Sequence, residues 1–133
     1  MVRVTVSMNE DGSRTIYEFD GANHKATATT RTQDGKLRGM IRYVLDVAGR
    51  FSSGEVFGPD EMLRFKTLYK YSDTGRLLEE SQLGKDDTLR HKIVYAYDRA
   101  GKQIGYSVYD AKGNLLNRAS AATPSSPGKK KTR

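Results

Sequence analysis

The sequence predicts an all-β protein: an antiparallel β-meander forming a single-layer repeat sheet of about nine strands. Three observations carry that prediction. The chain repeats itself every 26 residues, with Tyr17, Tyr43, Tyr69 and Tyr95 at that step, Leu37, Leu63, Leu89 and Leu115 following it, and Gly49, Gly75 and Gly101 sharing it without insertions. Spacing that strict marks an architecture of stacked units. Within each copy, apolar and polar residues alternate with a period of two, the pattern of a strand with one apolar and one wetter face. Turn signals recur twice per copy, since Asp98-x-x-Gly101 is echoed twelve residues later by Asp110-x-x-Gly113. No stretch places apolar residues at helical three-to-four spacing, and tyrosine, threonine and valine are common throughout, as strands prefer.

The elements follow in chain order. Residues 1–15 read as a partial repeat, in which Val2, Val4 and Val6 alternate with Arg3 and Thr5 along a strand and Asn9 to Gly12 supply a turn. Residues 16–119 hold four tandem β-hairpin repeats, Ile16 to Ile41, Arg42 to Thr67, Leu68 to Ile93 and Val94 to the region of Ala119. Long strands are predicted over Lys36 to Leu45, Met62 to Tyr71 and Thr88 to Tyr97, whose odd positions (Leu63, Phe65, Thr67, Tyr69 and Tyr71 in the second) form the apolar face. At about 3.4 Å per residue, each spans roughly 34 Å. Shorter, more polar return strands are predicted near Arg50 to Phe57, Arg76 to Leu83 and Lys102 to Tyr109, carrying Glu55, Glu79 and Glu80. At the turns Asp or Asn folds its side chain onto local backbone donors, and Gly accepts the positive φ of a tight hairpin. Residues 120–133, SAATPSSPGKKKTR, have no apolar alternation and read as a flexible basic tail.

Hydrophobic residues are 36% and charged residues 29%, which is polar for a compact domain yet too patterned for a disordered chain. A single sheet accounts for this, because tyrosine rings cover an apolar face while keeping their hydroxyls wet. Such a sheet leaves its edges and one apolar face to be covered by curling, a partner or a second copy. Cysteine is absent, which excludes disulfides and thiolate sites. The start, MVRVTVSMNEDG, lacks the apolar run of a signal peptide, and no stretch reaches the length of a membrane span. The expected location is therefore secreted or cell-surface if a leader was removed, and otherwise cytoplasmic.

The formal net charge is +7. Lys129, Lys130, Lys131 and Arg133 carry more than half of that excess, and they read either as a hook for nucleic acid or another polyanion or as a solubilising end. In the body, the even face of the long strands presents Arg38 and Arg42, then Arg64, Lys66 and Lys70, then Arg90 and Lys92. The repeat stacks Arg38, Arg64 and Arg90 into one row. That row is either a phosphate-binding stripe, sensitive to salt, or a set of cations neutralised across strands by Glu55, Glu79 or Glu80. The acids Asp46, Asp73, Asp86, Asp87, Asp98 and Asp110 lie at turns, where hydrogen bonding explains them without calcium or acid-base chemistry. His24 and His91 fall in different halves of the repeat, and His91, in a slot that Phe65 fills one copy earlier, reads as a packed ring. Ser52-Ser53-Gly54 has no triad context. Tyrosine rows admit a core reading and a ring-stacking ligand reading. No catalytic, cofactor or metal residue is expected.

Tyr95-Ala-Tyr97-Asp98-x-x-Gly101-Lys102 and Val108-Tyr109-Asp110-x-x-Gly113-Asn114-Leu115 resemble the YD repeats of bacterial Rhs-type proteins and of the related teneurin and toxin-complex shells. The resemblance covers roughly Ile16 to Asn117 and loosens in the earlier copies: Leu45 replaces the second tyrosine, Ser72 the aspartate, and Tyr17-Glu-Phe19-Asp20-x-x-Asn23 lacks the glycine. It implies a β-hairpin ribbon of the short, stand-alone bacterial type. Four copies are too few to close a shell, so no encapsulation role follows. The functional expectation is a non-enzymatic interaction or scaffold protein that uses an exposed sheet face or edge, with a protein partner or self-association. The alternative is polyanion binding through the cation row and tail.

Overall fold

The computed structural model describes residues Val2–Ser120; the predicted tail beyond Ser120, including Lys129, Lys130 and Lys131, lies outside the described residues. Ten strands follow one another: β1 (Val2–Met8), β2 (Arg14–Asp20), β3 (Lys25–Arg31), β4 (Leu37–Leu45), β5 (Phe51–Phe57), β6 (Leu63–Tyr71), β7 (Leu77–Leu83), β8 (Leu89–Tyr97), β9 (Gln103–Asp110) and β10 (Leu115–Ser120). They lie in one open meander sheet in chain order. The all-β meander is as expected, with one strand more than nine. Each 26-residue copy begins and ends in mid-strand, so four copies close on a shared extra strand, and Leu115 opens β10 as Leu89 opens β8. The described chain divides into two compact units, residues 2–68 with 83–88, and residues 69–82 with 89–120.

The hairpin turns share one design. The first turn residue accepts a hydrogen bond from the fourth, as Asp46 O does from Gly49 N at 2.9 Å, and its own N–H donates to the fifth, as Asp46 N does to Arg50 O at 2.8 Å. The fourth residue sits at positive φ in Gly12, Gly35, Gly49, Gly75, Gly101 and Gly113, and also in Glu61 and Asp87. This is the three-residue hairpin loop closed by a left-handed residue, the position glycine occupies without a Cβ clash. The Asp20 turn of the first copy departs from it: Gly21–Asn23 forms one 3-10 turn and His24 takes the left-handed conformation at φ 53.

Bulges recur with the repeat. Register shifts leave Arg38 in β4, Arg64 in β6 and Leu116 in β10 out of the ladder, each next to the leucine that opens its strand. A second set leaves out Ser52 in β5 and Ile104 in β9. A bulge bends the strand and re-aims its side chain.

In the first unit, two cross-strand rows bring rings and smaller side chains together, the first in strict alternation. One row is Phe19, Ala26, Tyr43, Gly54 and Thr67, and the other is Tyr17, Ala28, Ile41, Val56 and Phe65. The small residues give the rings room to lie flat: Tyr43 stacks on Phe51 with centroids 3.8 Å apart, and Phe51 in turn meets Phe19 at 6.1 Å. Ala26, Ala28, Tyr43 and Leu45 are the buried apolar residues among those described, as a one-layer sheet dictates. In the second unit Tyr95 and Tyr106 stack obliquely at 6.5 Å. The tyrosine hydroxyls there do more than face water, since Tyr97 donates to the Leu77 carbonyl at 2.6 Å and Tyr95 to the Glu80 carboxylate at 3.1 Å. His91 corrects its expectation: its side chain is exposed, because its cross-strand neighbour is the turn carboxylate Asp110 and offers nothing apolar to cover the ring.

Candidate functional site

The face opposite the rings carries the charge. Register places Thr27, Arg42, Glu55 and Lys66 side by side on β3 to β6. Glu55 thus stands between two cations. The Lys66 ammonium lies 2.8 Å from Asp87, and the Asp87 hydrogen bond above all, joined by the charges of Asp87, Glu55 and Asp86, raises its pKa. Arg42 also rests its guanidinium 5.0 Å from the Phe57 ring centre, a cation–π contact. One row further along, Lys25 opposes Val44 and Ser53 opposes Leu68. Together these side chains line a shallow cleft of about 700 Å³ within the first unit, with Val44, Leu68 and Leu83 as its apolar part and Lys25, Glu55 and Asp87 among its charged part.

The other predicted cations separate. Arg38, turned out of the ladder by its bulge, reaches Asp11 at 2.5 Å, and Arg64, at the equivalent bulge, reaches Asp60 at 2.8 Å. Two of the three arginines expected to form one row, Arg38 and Arg64, therefore each satisfy a turn aspartate, and Arg90 does not. Arg64 also lies over Gly58, where a Cβ would stand 2.5 Å from its Nη2 and would move the flexible guanidinium aside. In the second unit Lys92 pairs with Glu79 at 3.5 Å, while Lys70 and Arg90 are exposed and make no ion pair with a described residue. Sequence reasoning anticipated the Glu55 and Glu79 partners but missed Asp11, Asp60 and Asp87, although the four-residue spacing of Asp60 and Arg64 was visible.

Asp46, Asp60 and Asp110 accept backbone hydrogen bonds at their turns, and their pKa values fall accordingly. Asp110 takes the Asn114 and Lys112 N–H groups, each at 2.9 Å, and the Asn114 bond leads its downward shift. Asp46 takes Arg50 N and Ala48 N, again at 2.9 Å, with the Arg50 bond leading. Asp11 is lowered most, first by the Ser13 hydroxyl and then by Arg38. Tyr95 moves the other way, pushed up to about 12 by burial and by Glu80.

Among the described residues no three His, Cys, Asp or Glu converge on a metal position, and no helix is long and apolar enough to cross a membrane.

No protein-family model matches the chain, and no curated protein matches its sequence.

Proposed function

We propose that this chain is a non-enzymatic interaction or scaffold module of the YD-repeat kind, acting through an exposed sheet face or edge. The observation that carries the reading is the apolar surface left open in the first unit: Val2, Val4, Val6 and Met8 on β1, with Val44 and Leu68 in the cleft, are 46% to 70% exposed. Exposed apolar surface marks contact sites; the β1 stripe and the cleft are two such places, since Asp20 and Lys25 lie between Val2 and Val44 in the sheet. Two further points support it. The shifted groups, the turn aspartates, Lys66 and Tyr95, are each pushed deeper into their ordinary charge state at neutral pH; acid-base catalysis needs the opposite direction of tuning. The charged face is also laced with opposite-sign partners, which weakens the polyanion alternative and leaves it Lys70, Arg90 and the tail.

The test is site-specific photo-crosslinking in cells that make the full chain, with the reactive side chain placed at Val4, at Val44 or at the exposed turn residue Asp73. Discrete protein adducts at Val4 or Val44 but not at Asp73 are expected. Absence of adducts at both apolar positions, together with salt-sensitive nucleic-acid binding by the purified chain, would replace the reading with the alternative.

A further inference from the structure

We infer that β1 is a self-complementary edge at which two copies of this chain join antiparallel, centred on Thr5. The inference deepens the interaction reading and rests on it for the role of β1.

The sheet order puts β1 outermost, with β2 on one side. Every second residue of β1 consequently turns its N–H and C=O away from β2, as a template for another strand. Protein edges are normally blunted by a proline, a bulge, inward charges or shortness. β1 has none of these devices. It pairs with β2 over seven residues without a register shift, and it contains neither Pro nor Gly. Its one charged residue, Arg3, is exposed but points along the aromatic face, its guanidinium 4.7 Å from the Phe19 ring centre. At the other end of the described sheet, β10 is six residues long, bulged between Leu115 and Asn117, and carries Arg118. The two edges therefore differ, and β10 is the protected one.

The sequence of β1 selects the partner. Val2, Val4, Val6 and Met8 share the face occupied by Asp20, Glu18, Ile16 and Arg14 of β2, while Arg3, Thr5 and Ser7 share the aromatic face. Turned end for end about Thr5, a second β1 places Val2 opposite Met8, Val4 opposite Val6, Arg3 opposite Ser7 and Thr5 opposite Thr5. All of these are favourable or neutral cross-strand pairs, with no like charges opposed. The two valine stripes then merge on one face. A twofold joint of this kind closes at a dimer, whereas β1 against β10 would build an open chain of copies. One strand pair is smaller than a standard interface of about 1,600 Å², so the dimer is expected at concentrations of roughly 10 to 300 µM and not far below.

Sedimentation equilibrium of the full chain over that range is the first experiment, with Val4→Lys and Val6→Lys combined as the disrupting variant. These two exposed positions face each other across the joint, so the double variant opposes like charges there and is expected to raise the dimer dissociation constant at least tenfold, with an unchanged far-UV spectrum. Because the chain has no cysteine, register is read separately: Thr5→Cys is expected to oxidise to a covalent dimer, and Ser7→Cys, facing Arg3, is not. A monomer throughout the range, a dimer indifferent to the lysine substitutions, crosslinking at Ser7→Cys but not Thr5→Cys, or an open ladder of oligomers would each overturn the inference. A monomer that still gives discrete crosslinks to other proteins in cells removes self-pairing and leaves the interaction reading standing.

Discussion

Glu61 and Asp87 hold φ values of 65 and 68 at the turn position where six other loops place glycine. A left-handed residue with a Cβ is strained by about 1–2 kcal/mol, and glycine's extra unfolded-state freedom returns about 0.4–1 kcal/mol of that. Glu61→Gly is therefore expected to stabilise the fold by about 0.5–1 kcal/mol in urea unfolding. Asp87→Gly relieves the same strain but removes the Lys66 partner, a surface pair of small net worth, so its gain is expected to be smaller than that of Glu61→Gly. The difference between the two substitutions measures the ion pair. A Glu61→Gly chain less stable than the parent would sink the strain argument. The same loops explain which motif departures are harmless. In the Ser72 turn, the hydroxyl accepts the Arg76 N–H at 3.1 Å where Asp98 accepts that of Lys102 at 2.9 Å. Where Gly58 and Gly84 open the turn, Asp60 and Asp86 accept from Met62 and Thr88 instead. The aspartate signal was legible; its relocation within the loop, which depends on backbone geometry, was not.

At the level of the strand, alternation is enough to locate most of the sheet, because a one-layer structure has few tertiary contacts to override a local period-two preference. The predicted long strands agree with β4, β6 and β8 to within a residue at their starts, and the return strands do likewise. Bulges were not legible. They shift parity inside a strand, so counting odd and even positions sends Arg38 and Arg64 to one row when the fold sends each to a turn aspartate. The alternation of ring and small side chain across strands is likewise invisible along the chain, since it joins residues from different copies. It makes Gly54 a packing residue: a Cβ there would lie 2.7 Å from Thr67 Oγ1 and 3.3 Å from Tyr43 Cδ1 and Ile41 Cγ2. Gly54→Ala is expected to destabilise by about 1–2 kcal/mol through overpacking, even after the unfolded-state gain of alanine. Thermal or urea unfolding that shows no loss would mean the rings yield freely and the row is not close-packed.

At the scale of the whole molecule, the +7 charge was the most visible feature of the sequence and the least informative about a site. Composition counts cations but not their distance to acids. Of the seven body cations singled out, Arg38, Arg64, Lys66 and Lys92 have carboxylate partners and Arg42 has a ring and a facing Glu55. Their acids neutralise much of the field that would otherwise attract phosphate. Any affinity of the chain for duplex DNA should then follow the unpaired cations and the terminal lysines. Each phosphate neutralised contributes about 0.9 to the slope of log K against log salt, so replacing Lys129, Lys130 and Lys131 by Gln is expected to flatten that slope by about 2.7. Replacing Lys66 and Lys92 by Gln, whose charges are already met by Asp87 and Glu79, is expected to change it by less than about 0.5. Fluorescence anisotropy with a labelled duplex across a salt series reads both. If the Lys66 and Lys92 substitutions flatten the slope as much as a matched pair of terminal lysines, the cross-strand acids do not neutralise the sheet. The charged face would then compete with the apolar edge as the working surface of the protein.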